Sequence, residues 1–127
     1  MAAGSDSTVY IAGATASIDF PVTAGAVSTA LRGERDATLA RLSPDGSSLF
    51  YGTYLGGSDM DQARGVAVDG LGDVVITGST SSGDFPTTPQ AFDTIYNGGG
   101  DIFVTKLGLG VIAPGWRRTY LPLLLRP

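Results

Sequence analysis

The sequence predicts an all-β protein built from repeated four-stranded antiparallel sheets, and three observations lead there. Sliding the chain against itself by 65 residues, with no gap, lays residues 9–42 on residues 74–107. Each period carries four short apolar runs bounded by turn residues. Glycine is high at 19 of 127 residues and charged residues are low at 16%, while Val, Ile, Thr, Tyr and Phe fall in short runs instead of helical stripes.

The repeat has to be read first, because a fixed period dictates the architecture. In this register Val9, Ile11, Gly13, Thr15 and Ser17 meet Val74, Ile76, Gly78, Thr80 and Ser82. Further on, Asp19-Phe20-Pro21 meets Asp84-Phe85-Pro86, Gly33 meets Gly98, Asp36 meets Asp101 and Leu42 meets Leu107. Within one period the strand signals are "VYIAGAT" (9–15), "ATLARL" (37–42), "SLFYGTY" (48–54) and "GVAVD" (65–69), after which "VVITGST" (74–80) opens the next copy. Asp45-Gly46 marks a tight turn, since glycine accepts the positive φ that such turns require. Runs such as "VVIT" and "IFV" are nearly continuous, which predicts strands covered on both faces. Four antiparallel strands per unit, flanked by units of the same kind, describe the blade of a β-propeller.

The stretches "YGTYLGG", "GVAVDGLGDVVITGST", "DFPTTPQAF" and "YNGGGDIFVTKL" resemble the bacterial SBBP β-propeller repeat, and the likeness covers nearly all of residues 9–107. The first copy departs from the pattern at "LRGERD", where charge replaces the glycine run. The resemblance implies an extracellular or cell-surface bacterial setting and a propeller that serves as a scaffold or binding module.

The expected organisation is residues 1–107 as tandem units and residues 108–127 as a basic-apolar tail. Propellers close with about four to eight blades, and this chain supplies about one and a half, because no counterpart of "GVAVD" precedes Val9. Either it is the C-terminal part of a larger protein, or neighbouring blades come from further copies. The tail, "GLGVIAPGWRRTYLPLLLRP", breaks the repeat. It weakly resembles endings of secreted proteins of filamentous bacteria, which would make it a sorting signal; the other reading is a closing strand anchored by Trp116 and Tyr120.

Formal net charge is -4, with all twelve acids and five of the eight bases at or before residue 107. An acidic body disfavours nucleic acid, whose phosphates need a positive surface. With neither Cys nor His, the chain lacks thiol chemistry, the usual neutral-pH base and the commonest zinc ligand. The opening "MAAGSDSTVYIAG" has no basic start and no apolar core of signal-peptide length. No apolar run reaches the roughly 18–20 residues of a transmembrane span.

No catalytic residue is expected. Asp19 with Asp84, and Asp36 with Asp101, could be imagined as the carboxylate pair of a glycosidase. Their recurrence in each unit, beside turn glycines, instead predicts structural loop residues that accept backbone N–H bonds. Asp59 and Asp61 in "GGSDMDQARG" offer oxygen ligands for Ca2+ without the spacing of an EF-hand, and a solvated turn with Arg64 as counter-charge is the competing reading. No other cofactor is implied. The long loops, 16–36 and 81–101, fall between the same two strands of each unit and so belong on one face, suited to a protein or glycan partner. Phe20 and Phe85 read as loop anchors tucked under their prolines, which leaves Phe92, Tyr96 and Asn97 as the contact candidates. Besides a non-catalytic module, two functions remain open: a piece of a glycan-active enzyme with its catalytic residues in other blades, or a small lectin-like protein that closes its ring by oligomerising.

Overall fold

The structure is a computed structural model, which describes residues 1–4, 6–70, 72–86 and 100–108, and for 120–125 the backbone alone. Among the described residues eight strands form two four-stranded antiparallel sheets. The first holds β1 (Ala2–Ala3), β2 (Val9–Thr15), β3 (Asp36–Leu42) and β4 (Leu49–Leu55) in chain order. The second holds β5 (Asp61–Val68), β6 (Val74–Thr80), β7 (Asp101–Leu107) and β8 (Tyr120–Leu125), again in chain order. Among the described residues there is no helix, and hence none long and apolar enough to cross a membrane.

The repeat is expressed residue for residue. Thr15 pairs with Asp36 and Val9 with Leu42 in the first sheet, just as Thr80 pairs with Asp101 and Val74 with Leu107 in the second. The sheets differ at their inner edge. A counterpart of β5 was expected to be missing, but a strand of two residues, Ala2–Ala3, stands there and pairs with Tyr10 and Val9. At the outer edge of the second sheet, residues 120–125 of the tail form β8 along β7, and Pro122 is compatible with this place because an outermost strand can leave one face of its ladder undonated. Trp116 lies outside the described residues, as do Phe92, Tyr96 and Asn97.

Turn chemistry closes the short-turn edge. Gly46 adopts φ 75°, and its N–H donates to Ser43 O at 2.8 Å. Asp45 accepts from the hydroxyls of Ser47 and Ser43, which hold its carboxyl down at about 2.

One core lies between the sheets. It joins Tyr10, Ala37, Leu39, Tyr51 and Leu55 of the first sheet to Ala63, Val74, Ile76, Phe103 and Leu107 of the second. The expectation of strands covered on both faces holds for β4, which is buried from Tyr51 to Leu55. There the second sheet covers one face and the first long loop the other: Phe20 stacks on Tyr54, whose hydroxyl accepts from Phe20 N–H at 3.0 Å and donates to Ser17 O at 2.8 Å. It fails for β6 and β7, whose residues alternate between buried and more exposed. Their outer face meets no third sheet among the described residues, so only one side is dry.

Thr105 sits in this core with its hydroxyl fully buried and without a hydrogen-bond partner among the described residues. A buried hydroxyl with no partner forfeits its hydration for nothing. Thr105→Val is therefore expected to raise the unfolding free energy by about 1 kcal/mol, as read from the midpoint of urea denaturation at unchanged slope.

Candidate functional site

The antiparallel pairing brings Thr15, Asp36, Leu55, Asp61, Thr80 and Asp101 to one edge of the molecule. Both long loops and the connection 56–60 leave from this edge, as their position between equivalent strands implied. The connection carries the chain from the outer strand of one sheet to the inner strand of the next.

Carboxylates organise the edge from within. Asp61, fully buried, accepts from Gly57 N–H at 2.9 Å, from Ser82 Oγ at 2.9 Å and, through a short bond, from Thr80 Oγ1. Asp36, also fully buried, accepts the N–H groups of Arg32 at 2.9 Å and Gly33 at 3.2 Å. Asp84, near the surface, accepts from Ser58 N–H at 2.8 Å and Ser58 Oγ at 3.1 Å. The two glycines after Leu55 make room for this: a Cβ on Gly56 would lie 2.6 Å from Asp61 Oδ2, and one on Gly57 would lie 2.2 Å from Asp84 Oδ1.

Burial pushes the Asp61 carboxyl above its ordinary value of 3.8, against the pull of its three donors, and Asp36 nearby adds to the rise. Burial likewise raises Asp36, partly offset by the Arg32 and Gly33 amides. Asp84 is held below the ordinary value, chiefly by the Ser58 amide.

Arg32 ties the sheets together, and sequence reasoning passed over it. Its guanidinium donates to Gly56 O and to Asp84 Oδ2, each at 3.2 Å, while its own amide binds Asp36. The signal was there in "LRGERD", where a charge in the first unit faces an aspartate of the second. Side chains of the Arg32–Asp84 pair are 44% and 45% exposed, so water screens it and its worth is below about 1 kcal/mol.

The residues singled out from the sequence are distributed as follows. Asp36 and Asp84 accept backbone N–H groups. Asp101 is buried at the start of β7, and Asp19 is exposed in the turn before Phe20. Asp59 is exposed and accepts from Met60 N–H at 3.0 Å, while both oxygens of Asp61 are engaged by protein donors. Arg64, expected as their counter-charge, donates to Gln62 Oε1 at 3.3 Å. Among the described residues no group of three or more His, Cys, Asp or Glu is placed to hold a metal ion. Phe20 and Phe85 do anchor the loops, but on strand aromatics: Phe85 stacks on Phe103 at 4.5 Å, as Phe20 does on Tyr54 at 5.6 Å. What the edge supplies, then, is two loops with rigid roots. The contact candidates themselves lie beyond the described residues.

Residues 51–86 match the family model of the SBBP β-propeller repeat. The matched segment runs from β4 through the connection, β5 and β6 to Pro86, and includes Gly56, Gly57, Ser58, Asp61, Thr80, Ser82 and Asp84. No curated protein matches the chain.

Proposed function

We propose that this chain, which carries a β-propeller repeat, is a non-catalytic interaction module of an extracellular or cell-surface bacterial protein. Its two long loops, 16–36 and 81–101, receive a protein or glycan partner at their common edge. The observation that carries the reading is the use made of Asp36, Asp61 and Asp84: each carboxylate is taken up by protein donors, amides and hydroxyls, at the loop roots and in the connection 56–60. Carboxylates engaged in this way hold a platform rigid, and rigid roots lower the entropy lost when a loop binds. Phe92, Tyr96 and Asn97 are the residues assigned to the contact, since aromatic and amide side chains recognise sugars and peptides through stacking and hydrogen bonds.

The test is binding of the purified chain to a panel of immobilised bacterial and plant polysaccharides and to a displayed peptide library, with reducing-sugar release followed in parallel. The expected result is retention by one class of ligand, at least tenfold weaker after joint replacement of Phe92, Tyr96 and Asn97 by Ala, without release of sugar. Sugar release by the chain would overturn the reading in favour of a glycan-active enzyme, and retention unaffected by the triple replacement would move the contact elsewhere.

A further inference from the structure

The two sheets pack with non-equivalent faces. The first contributes the face bearing Tyr10, Ala37 and Leu39, while the second contributes the face bearing Val74, Ile76, Phe103 and Leu107. Under the 65-residue repeat, the counterparts of Ile76 and Leu107 are Ile11 and Leu42, which lie on the opposite face of the first sheet from Tyr10 and Leu39. Call the face with Ile11 the head and the face with Tyr10 the tail of a sheet: the internal interface is then the tail of the first sheet on the head of the second.

Among the described residues, one head and one tail are thus left uncovered, and exposures follow this assignment. Ile76 is 1% exposed inside the interface, whereas Ile11, its counterpart on the free head, is 42% exposed. Ala37 is 1% exposed inside the interface, whereas Ile102, its counterpart on the free tail, is 39% exposed. Leu42 and Val104 are half-buried where Leu107 and Leu39 are fully covered. An isoleucine displayed on each outer sheet face has no use in the chain alone, and covering it would remove apolar surface from water. Lys106 on the free tail occupies the position of Arg41, and the internal interface accommodates Arg41 beside Tyr10, so a charge at this place does not oppose docking; Arg64, exposed beside Gln62 on the inner strand, has no counterpart in the internal interface.

We infer that the free head of one copy docks on the free tail of another, repeating between chains the interface already formed within each. The occupant is a second copy because every chain carries both halves of a joint whose fit the chain itself demonstrates. Such contacts are heterologous and close into a ring when the rotation allows. Closed rings of such sheets number about four to eight, so two-sheet chains close as two to four copies. This inference stands on the sheet packing and not on the ligand reading above.

Light scattering on the chromatographed chain tests it. The wild type is expected to show one mass of two to four chains at about 100 µM, whereas Ile11→Glu and Ile102→Lys, each blocked on one face at an exposed position, are expected to be monomers with unchanged circular dichroism. Mixing the two variants leaves one intact head and one intact tail, and a 1:1 heterodimer is expected. A monomeric wild type overturns the inference. So does a variant that pairs with itself, which would mean like face on like, and so does a mixture that stays monomeric. None of these outcomes depends on ligand retention, so a failure here leaves the binding reading to stand or fall on its own test.

Discussion

Gly78→Ala is expected to lose about 3 kcal/mol of stability or fail to fold, while Gly13→Ala, at the equivalent place in the first sheet, is expected to gain up to about 1 kcal/mol. A Cβ on Gly78 would lie 1.9 Å from Gln62 O and 2.8 Å from the Ala63 Cα. Both are backbone atoms of β5, which is pressed against β6 where its register shifts between Ala63 and Gly65. They cannot yield without opening the ladder. On Gly13 the nearest atom to a Cβ is Thr38 Oγ1, 4.0 Å away. Because β1 is only Ala2–Ala3 and pairs no further than Tyr10, no strand among the described residues presses on Gly13 as β5 does on Gly78. A methyl there restricts the unfolded chain without a clash. Urea denaturation of the two variants reads both signs, and equal effects would mean that β5 does not lie on β6 as described.

Asp61→Ala is expected to cost about 3 kcal/mol, and Asp61→Asn no more than about 1 kcal/mol. Alanine strips the acceptor from Gly57 N–H and from the hydroxyls of Thr80 and Ser82, all in a site closed to water. Asparagine keeps one oxygen for Gly57 and Ser82, and its amide can donate to the Thr80 hydroxyl, which retains a lone pair. The pair also differs in pH dependence. Since burial holds Asp61 and Asp36 above 3.8, the folded state binds their protons more tightly than the unfolded chain does. Their contribution to stability is complete below that ordinary value and is lost as pH rises through the raised folded values. Asp6, Asp45 and Asp84 act in the other direction: held below 3.8, they contribute above it, and that contribution disappears as pH falls through their lowered values. Asp61→Asn should therefore gain on the wild type as pH rises above the ordinary carboxylate range, as measured by chemical denaturation across pH. A constant offset at every pH would show that this carboxyl titrates as it does in the unfolded chain.

Much of the fold was legible because the repeat could be checked against itself. Strands 9–15 and 74–80 begin and end where their apolar runs do. The inner strand β5 was read four residues short, since "DQAR" looks like polar loop. It is drawn into the ladder because Asp61 has a buried set of donors to satisfy, a long-range cause that no local pattern displays. Coverage on both faces was over-read for the same reason: near-continuous apolar runs tell which residues would prefer to be dry, and Ile11 and Ile102 show that two sheets alone cannot oblige all of them. At the loop edge, the recurring aspartates pointed to turn-fixing carboxylates, whereas Arg32 was hidden because it occurs in only one copy.

The passage from the outer strand of one sheet to the inner strand of the next also dictates how the molecule emerges from a ribosome. All of the first sheet is encoded by Leu55; β5 is the first strand to meet its inner face, and the core that holds Tyr10 and Leu39 is complete only once Phe103 and Leu107 have been made. At roughly 5–20 residues per second of synthesis, that greasy surface stays incompletely covered for several seconds. Nascent copies on one polysome would carry it at the same moment, within reach of a holdase or of each other.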